Sequence, residues 1–125
     1  MKIIRNIIIV IVIVFIGLFI AYKWIDNNLN QLLTEEVDTV NLSQIDDGTY
    51  PGKASTFPIE VEVVVEVTDH KITNIDLVKH VNGQGNDASK IIDRVIEQNS
   101  IDVDVISGAS YSSHVILNAI SDALN

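Results

Sequence analysis

The sequence predicts an α+β protein: a small antiparallel sheet packed by two amphipathic helices, preceded by a single N-terminal transmembrane helix. Three patterns carry this expectation. Residues 7–22 contain only apolar side chains, Gly and Tyr. Ile59, Val61, Val63, Val65 and Val67 alternate with Glu60, Glu62, Val64 and Glu66, the period of a strand with one buried and one wet face. Two later stretches repeat apolar residues at i, i+3, i+4 and i+7, the stripe of a helix lying on a core.

The stretch from Ile3 to Ile25 is interrupted only by Arg5, Asn6 and Lys23. At ~1.5 Å per residue it spans a ~30 Å hydrocarbon core if Arg5 and Lys23 reach the two surfaces. Tyr22 and Trp24 suit the membrane interface. The competing reading, a cleaved signal peptide, wants small residues before the cleavage point, and Phe19 and Ala21 serve that poorly. Lys2 and Arg5 precede the apolar run, whereas acids begin at Asp26, beyond Lys23. The positive-inside bias then leaves the N-terminus in the cytoplasm and the rest of the chain extracytoplasmic, held to the cell membrane as a single-pass protein.

All 17 acids of the 125-residue chain lie at or beyond Asp26, against five bases there (Lys53, Lys71, Lys79, Lys90 and Arg94). Such a surface repels phosphate backbones, so nucleic acid is not an expected partner. With no Cys, disulfides and thiolate chemistry are excluded. The organisation read from these shifts is an anchor at 1–25, a helical stalk or linker at 26–45 and a folded domain at 46–125.

In the stalk, Leu29, Leu32, Leu33, Val37 and Val40 have mostly helical spacing, predicting helix to about Ser43. Asp46-Asp47-Gly48 signals a turn. Residues 49–55 read as a first strand, which Pro51 confines to an edge or bulge. After the strand at 59–67, Thr68 to Lys71 form a hairpin connection, and Ile72 to Lys79 return with Ile75 and Leu77 on one face and Val78 on the other. Asn82 to Asn86 is a glycine-containing loop that Asp87 is placed to end as a helix cap. Ala88, Ile91, Ile92, Val95 and Ile96 form one apolar stripe. Ile101 to Val105 reads as a short fourth strand, and Ile116, Ala119, Ile120, Ala123 and Leu124 line the last helix.

Chemistry concentrates between Asp104 and Ser113, in Asp-Val-Ile-Ser-Gly-Ala-Ser-Tyr-Ser-Ser. Very small residues join an extended segment to a helix there. Backbone amides can then approach an oxygen-rich ligand, and the helix N-terminus adds unpaired N–H groups and the positive end of its dipole, a setting that favours phosphate. The simpler alternative is that Ser107 or Ser110 caps the helix.

Asp104-x-x-Ser107-Gly108-Ala109-Ser110 resembles the flavinylation motif of the FMN-binding domain family, usually Asp-x-x-Ser-Gly-Ala-Thr followed by a Ser/Thr pair. Asp47-Gly48-Thr49-Tyr50-x-Gly52 resembles that family's opening strand, His80 with Gly83 and Gly85 its glycine loop, Ala88 to Gln98 its middle helix and Tyr111 to Leu124 its last. The resemblance runs from about Asp46 to Leu124. It implies FMN joined through its phosphate to a hydroxyl, installed by an extracytoplasmic flavin transferase that uses FAD and magnesium. Carried over, Ser110 matches the acceptor hydroxyl, with Asp104, Ser107, Gly108 and Ala109 the sequence the transferase recognises. Tyr111, Ser112 and Ser113 follow in the phosphate-facing first turn, and Gly83, Gly85 and His80 border the flavin.

Two departures stand out. Ser110 replaces the usual Thr, and Val81-Asn82-Gly83-Gln84-Gly85 replaces the Glu-Thr-Pro-Gly type segment usual in the flavin subunits of sodium-pumping quinone reductases and ion-pumping ferredoxin oxidoreductases. The chain is thus more similar to small free-standing members. The function implied is an anchored electron-transfer flavoprotein fed by a membrane donor such as a quinone or dehydrogenase, a redox carrier more than a stand-alone catalyst. The alternative is a non-redox envelope module that holds FMN loosely or not at all. His70, His80 and His114 are too scattered to suggest a metal site.

Overall fold

The computed structural model describes residues 1–83 and 87–125. Helix α1 (Lys2–Leu32) is followed by a 3-10 turn at Leu42–Gln44, three strands, β1 (Gly48–Thr56), β2 (Ile59–Thr68) and β3 (Lys71–Val81), and helices α2 (Lys90–Gln98) and α3 (Ser110–Leu124). The strands form one antiparallel sheet in the order β1-β2-β3. Both C-terminal helices pack on one face of it, giving the expected α+β arrangement behind a long apolar helix.

The alternation in β2 sets the layers. Ile59, Val61, Val63, Val65 and Val67 are buried, while Glu66 and Thr68 stand in solvent and Glu60, Glu62 and Val64 are partly covered. Against that inner face lie Ile91 and Val95 of α2 and Val115, Ile116, Ala119 and Ile120 of α3, all fully buried. Helix α3 sits directly on β1: a Cβ on Gly52 would come 2.2 Å from the Ala119 carbonyl oxygen and 2.6 Å from the Ala123 Cβ. Glycine is what allows helix backbone and strand backbone to approach so closely.

In β3 the inward residues are spaced unevenly. Ile72, Ile75 and Leu77 pair with Val67, Val65 and Val63, and His80 pairs with Val61. Register shifts between Glu62/Val63 and Glu66/Val67 leave Val78 and Thr73 as the extra residues. Each bulge resets the alternation, so Val78 faces out as expected while His80, three residues after Leu77, turns inward. The β2–β3 connection is a two-residue turn with positive φ at Asp69 (52°) and His70 (59°), the backbone that suits strand twist. The Asp69 amide donates to Asp47 Oδ1 at 2.7 Å.

Three local expectations are corrected. The stalk is helical only to Leu32. Beyond it, the Thr34 hydroxyl takes up the Gln31 carbonyl, Val37 and Val40 cover the core edge from a non-helical strap, and Leu42 joins them from the 3-10 turn that follows. Residues 101–105 form no strand: the Asp104 and Val105 carbonyls accept from Arg94 Nη1 (2.8 and 3.1 Å), so side chains replace a strand ladder as partners. Asp87 does not cap α2, whose N-cap is Ser89; it pairs with Lys90 at 3.2 Å.

The end of α1 is part of the folded unit. Leu32 is fully buried in the core, the Tyr111 hydroxyl lies 3.3 Å from Asn30 Oδ1, and Asn28 Nδ2 donates to the Phe57 carbonyl at 3.3 Å. The Trp24 and Phe57 rings stand 5.8 Å apart.

Candidate functional site

The segment from Asp104 to Ser113 enters α3 through a tight turn closed by the Ala109 amide on the Ile106 carbonyl at 2.9 Å. Gly108 has φ +81°, where a side chain would be strained, and a Cβ there would meet only open space. Glycine is therefore needed for the turn and not for packing. Ser107 and Gly108 are exposed, Ala109 is buried and Ser110 is half-buried.

The helix is not capped by Ser107 or Ser110. Its N-cap is Ala109, which offers no side-chain bond. Stabilisation comes from inside the first turn: Ser113 Oγ donates to the Ala109 carbonyl at 2.6 Å and accepts from the Ile106 amide at 3.2 Å. One buried hydroxyl thus ties both ends of the turn. Ser112 is equally buried, and its Oγ is hydrogen-bonded to His80 Nε2 at 3.1 Å. Tyr111 is engaged with Asn30. Ser110 is the exception in this first turn, since its Oγ makes no hydrogen bond among the described residues.

The amides of Ser110 and Tyr111 also donate to no acceptor among the described residues. They are the orphan donors of a helix N-terminus, beside a hydroxyl with no other engagement. No acid lies in the first turn of α3, and residues 105–113 contain no charged side chain. Within an acidic domain, the positive end of the α3 dipole therefore faces its surroundings without a local anion to neutralise it. This donor set fits the phosphate of a flavin mononucleotide.

His80 and Gly83 come to the same place. A Cβ on Gly83 would fall 1.6 Å from His80 Nε2 and 2.4 Å from Cδ2 and Cε1, so the imidazole lies against the Gly83 backbone while reaching Ser112. Burial of the ring lowers the His80 pKa from its ordinary 6.5, leaving it neutral at pH 7. Gly85 lies outside the described residues. The site thus joins Ser107, Gly108, Ala109, Ser110, Tyr111, Ser112 and Ser113 with His80 and Gly83 at one end of the sheet. The Asp104 side chain projects from the approach to it, exposed.

The other histidines stand elsewhere. His70 sits in the β2–β3 turn, its Nδ1 donating to the Leu42 and Ile45 carbonyls (3.2 and 3.1 Å). His114 lines a separate hollow with Glu35, Val103 and Leu117; burial lowers its pKa, partly offset by Glu35. A hollow of about 310 Å³ lined by Pro51, Gly52, Lys53, Val64, Val78 and Asp122 lies along β1, and none of the residues from Asp104 to Ser113 lines it.

Sequence reading alone missed Arg94 as the clamp on the segment before the motif, Ser113 as the residue that fastens the turn, and Asn30 as a partner of Tyr111. Only Arg94 left a trace in the sequence, as the one arginine beyond the apolar run. Comparison with curated proteins finds no match. The family model of the FMN-binding domain matches residues 55–125, from the end of β1 through α3 and so over half of the chain, and the chain belongs to that family.

Proposed function

We propose that this protein is a membrane-anchored, extracytoplasmic electron carrier in which FMN is joined through its phosphate to the Ser110 hydroxyl. The observation that carries the reading is the difference between neighbouring hydroxyls. Ser112 and Ser113 are buried and bonded within the fold, whereas Ser110 Oγ bonds to none of the described residues and stands beside two amides that donate to none of them.

In the attachment step, Ser110 Oγ displaces AMP from the FMN phosphorus of FAD. A phosphoester bond forms as the phosphoanhydride breaks, and the hydroxyl proton is lost. A flavin transferase supplies that chemistry, and the exposed Asp104 and Ser107 are available to it. Once attachment is complete, the Ser110 and Tyr111 amides and the α3 dipole stabilise the phosphate charge, an effect of about 0.3–1 kcal/mol at an accessible helix end. The bound flavin supplies one- and two-electron transfer. The chain contributes orientation: Ser113 and Arg94 hold the turn, and His80, kept neutral by burial, fills the space between Ser112 and Gly83.

The anchor and its orientation rest on the apolar span of α1 and the basic residues before it. A quinone or a membrane dehydrogenase is the donor class this placement suits. Serine in place of the family's usual threonine is the observation favouring the rival, a non-redox envelope module with FMN bound loosely or absent.

Coexpression with a flavin transferase separates the two. The intact mass should rise by one FMN less water, with the modified peptide containing Ser110. Ser110→Ala should abolish the adduct at a cost of about 0.5 kcal/mol or less in stability, because its Oγ bonds to none of the described residues, and Ser110→Thr should retain it. An adduct that survives Ser110→Ala, or maps to Ser112 or Ser113, refutes the assignment. Protein that takes up FMN only reversibly favours the rival.

A further inference from the structure

The β1–β2 hairpin ends in Thr56-Phe57-Pro58-Ile59, a tip without a charged side chain in a domain rich in acids. Phe57 leaves 56% of its surface exposed, so the tip presents an aromatic face to its surroundings. Its nearest acid in sequence, Glu60, is paired with Lys79 at 2.8 Å. What fixes the position of this tip is α1. The Phe57 ring is 5.8 Å from that of Trp24, and its carbonyl accepts from Asn28. Trp24 lies at the end of the apolar run, which closes at Ile25, and Asn28 lies in the polar stretch that starts at Asp26, about 6 Å further along the helix at 1.5 Å per residue.

We propose that the Phe57–Pro58 tip is a second membrane contact, seated in the interfacial layer of the bilayer beside Trp24, so that helix and hairpin together hold the domain in one orientation. The inference rests on the anchor reading of α1. If the apolar run fills the hydrocarbon, Trp24 lies in the headgroup region, which extends about 5–8 Å on each side of the core. A ring held against Trp24 cannot then leave that layer without breaking both contacts to the helix. Phe at this depth buries its exposed face, and the uncharged tip carries no carboxylate into the headgroups.

The same contacts decide where the candidate site faces. Asn82 Nδ2 donates to the Pro58 carbonyl at 3.0 Å, linking the tip to the segment that carries His80 and Gly83. Tyr111, in the first turn of α3, reaches Asn30, about 9 Å along the helix from Trp24. The first turn of α3 therefore sits near the membrane surface, within reach of a redox partner held in or along the membrane plane.

The absence of cysteine allows single labels on the full-length chain in vesicles of phosphatidylcholine with phosphatidylglycerol. A fluorophore at Phe57→Cys is compared with one at Lys71→Cys, on the opposite hairpin, and one at Ile11→Cys, within the apolar run, using lipids with nitroxides at shallow or deep acyl positions. The expected result is quenching by the shallow nitroxide at least threefold greater at position 57 than at 71, together with deep quenching at 11. Quenching at 11 with equal, weak quenching at 57 and 71 would overturn the tip contact and leave the anchor standing. Loss of quenching at 11 would overturn the anchor, and the tip contact with it.

Discussion

Gly83→Ala, combined with His80→Ala in a double-mutant cycle, tests whether the glycine is there for the ring packed on it. Among the described glycines only Gly108 has a positive φ, so backbone conformation does not demand glycine at 83. The added methyl would meet His80 Nε2 at 1.6 Å. Restoring an ordinary contact requires the ring to move by about 2 Å, further than the 3.1 Å bond to Ser112 can follow. Loss of that bond costs about 0.5–1.5 kcal/mol, and an imidazole pushed off its rotamer a similar amount. The single variant should lose about 1–3 kcal/mol. In urea titration of the full chain in mild detergent, followed by circular dichroism, that loss should lower the midpoint at unchanged slope. In the His80→Ala background the same methyl meets no ring and should cost little, leaving a coupling of about 1–2 kcal/mol. Equal losses in both backgrounds would refute the reasoning.

Gly52→Ala should be more damaging, because its Cβ would strike the backbone of α3 at 2.2 Å and not a side chain that can turn away; we expect a loss of about 3 kcal/mol or more and a melting temperature lower by roughly 10 °C or more. Arg94→Met removes both bonds to the Asp104 and Val105 carbonyls and should cost about 1–2 kcal/mol, with faster amide exchange near the α3 turn and slower attachment of FMN by the transferase. Stability should fall with acidification: His80 and His114 both have folded pKa values lowered by burial, so the unfolded chain binds more protons. Their contribution is complete above the unfolded value near 6.5 and is lost as pH falls through the lower folded values. Unfolding midpoints between pH 7.5 and 5.5 should therefore slope downward, and replacing both histidines with Gln should flatten the slope.

What the sequence revealed followed from how local each signal is. The strand at 59–67, the edge placement of Pro51 and the two helical stripes each depend on the chain's own periodicity, and they appear where that periodicity puts them. The segment 101–105 has the composition of a strand, but pairing requires a neighbour, and here Arg94 takes its carbonyls. Val37 and Val40 keep a helical spacing yet reach the core from a strap, since packing on a core rewards burial irrespective of backbone form. In the site, the motif gave the turn and its serines. Which hydroxyls are engaged was not legible, because Ser112 depends on His80 across 32 positions and His80 faces inward only through a bulge. The same is true of Ser113, whose partners are backbone groups.

A protein held on a membrane meets its own copies at high effective concentration in two dimensions, where an open strand invites intermolecular pairing. A three-stranded sheet has two such borders. On β1, Pro51 has no N–H to offer, and the amide of Lys53 is already given to Asp122 Oδ2 at 3.0 Å. On β3, the Ile72 amide is given to Asn99 Oδ1 at 2.8 Å, and the bulges at Thr73 and Val78 break the straight run a second strand would have to match. Both borders are blunted as natural sheets blunt exposed edges. On the proposed anchoring, the feature that turns His80 inward therefore also keeps crowded copies from zipping into a continuous sheet.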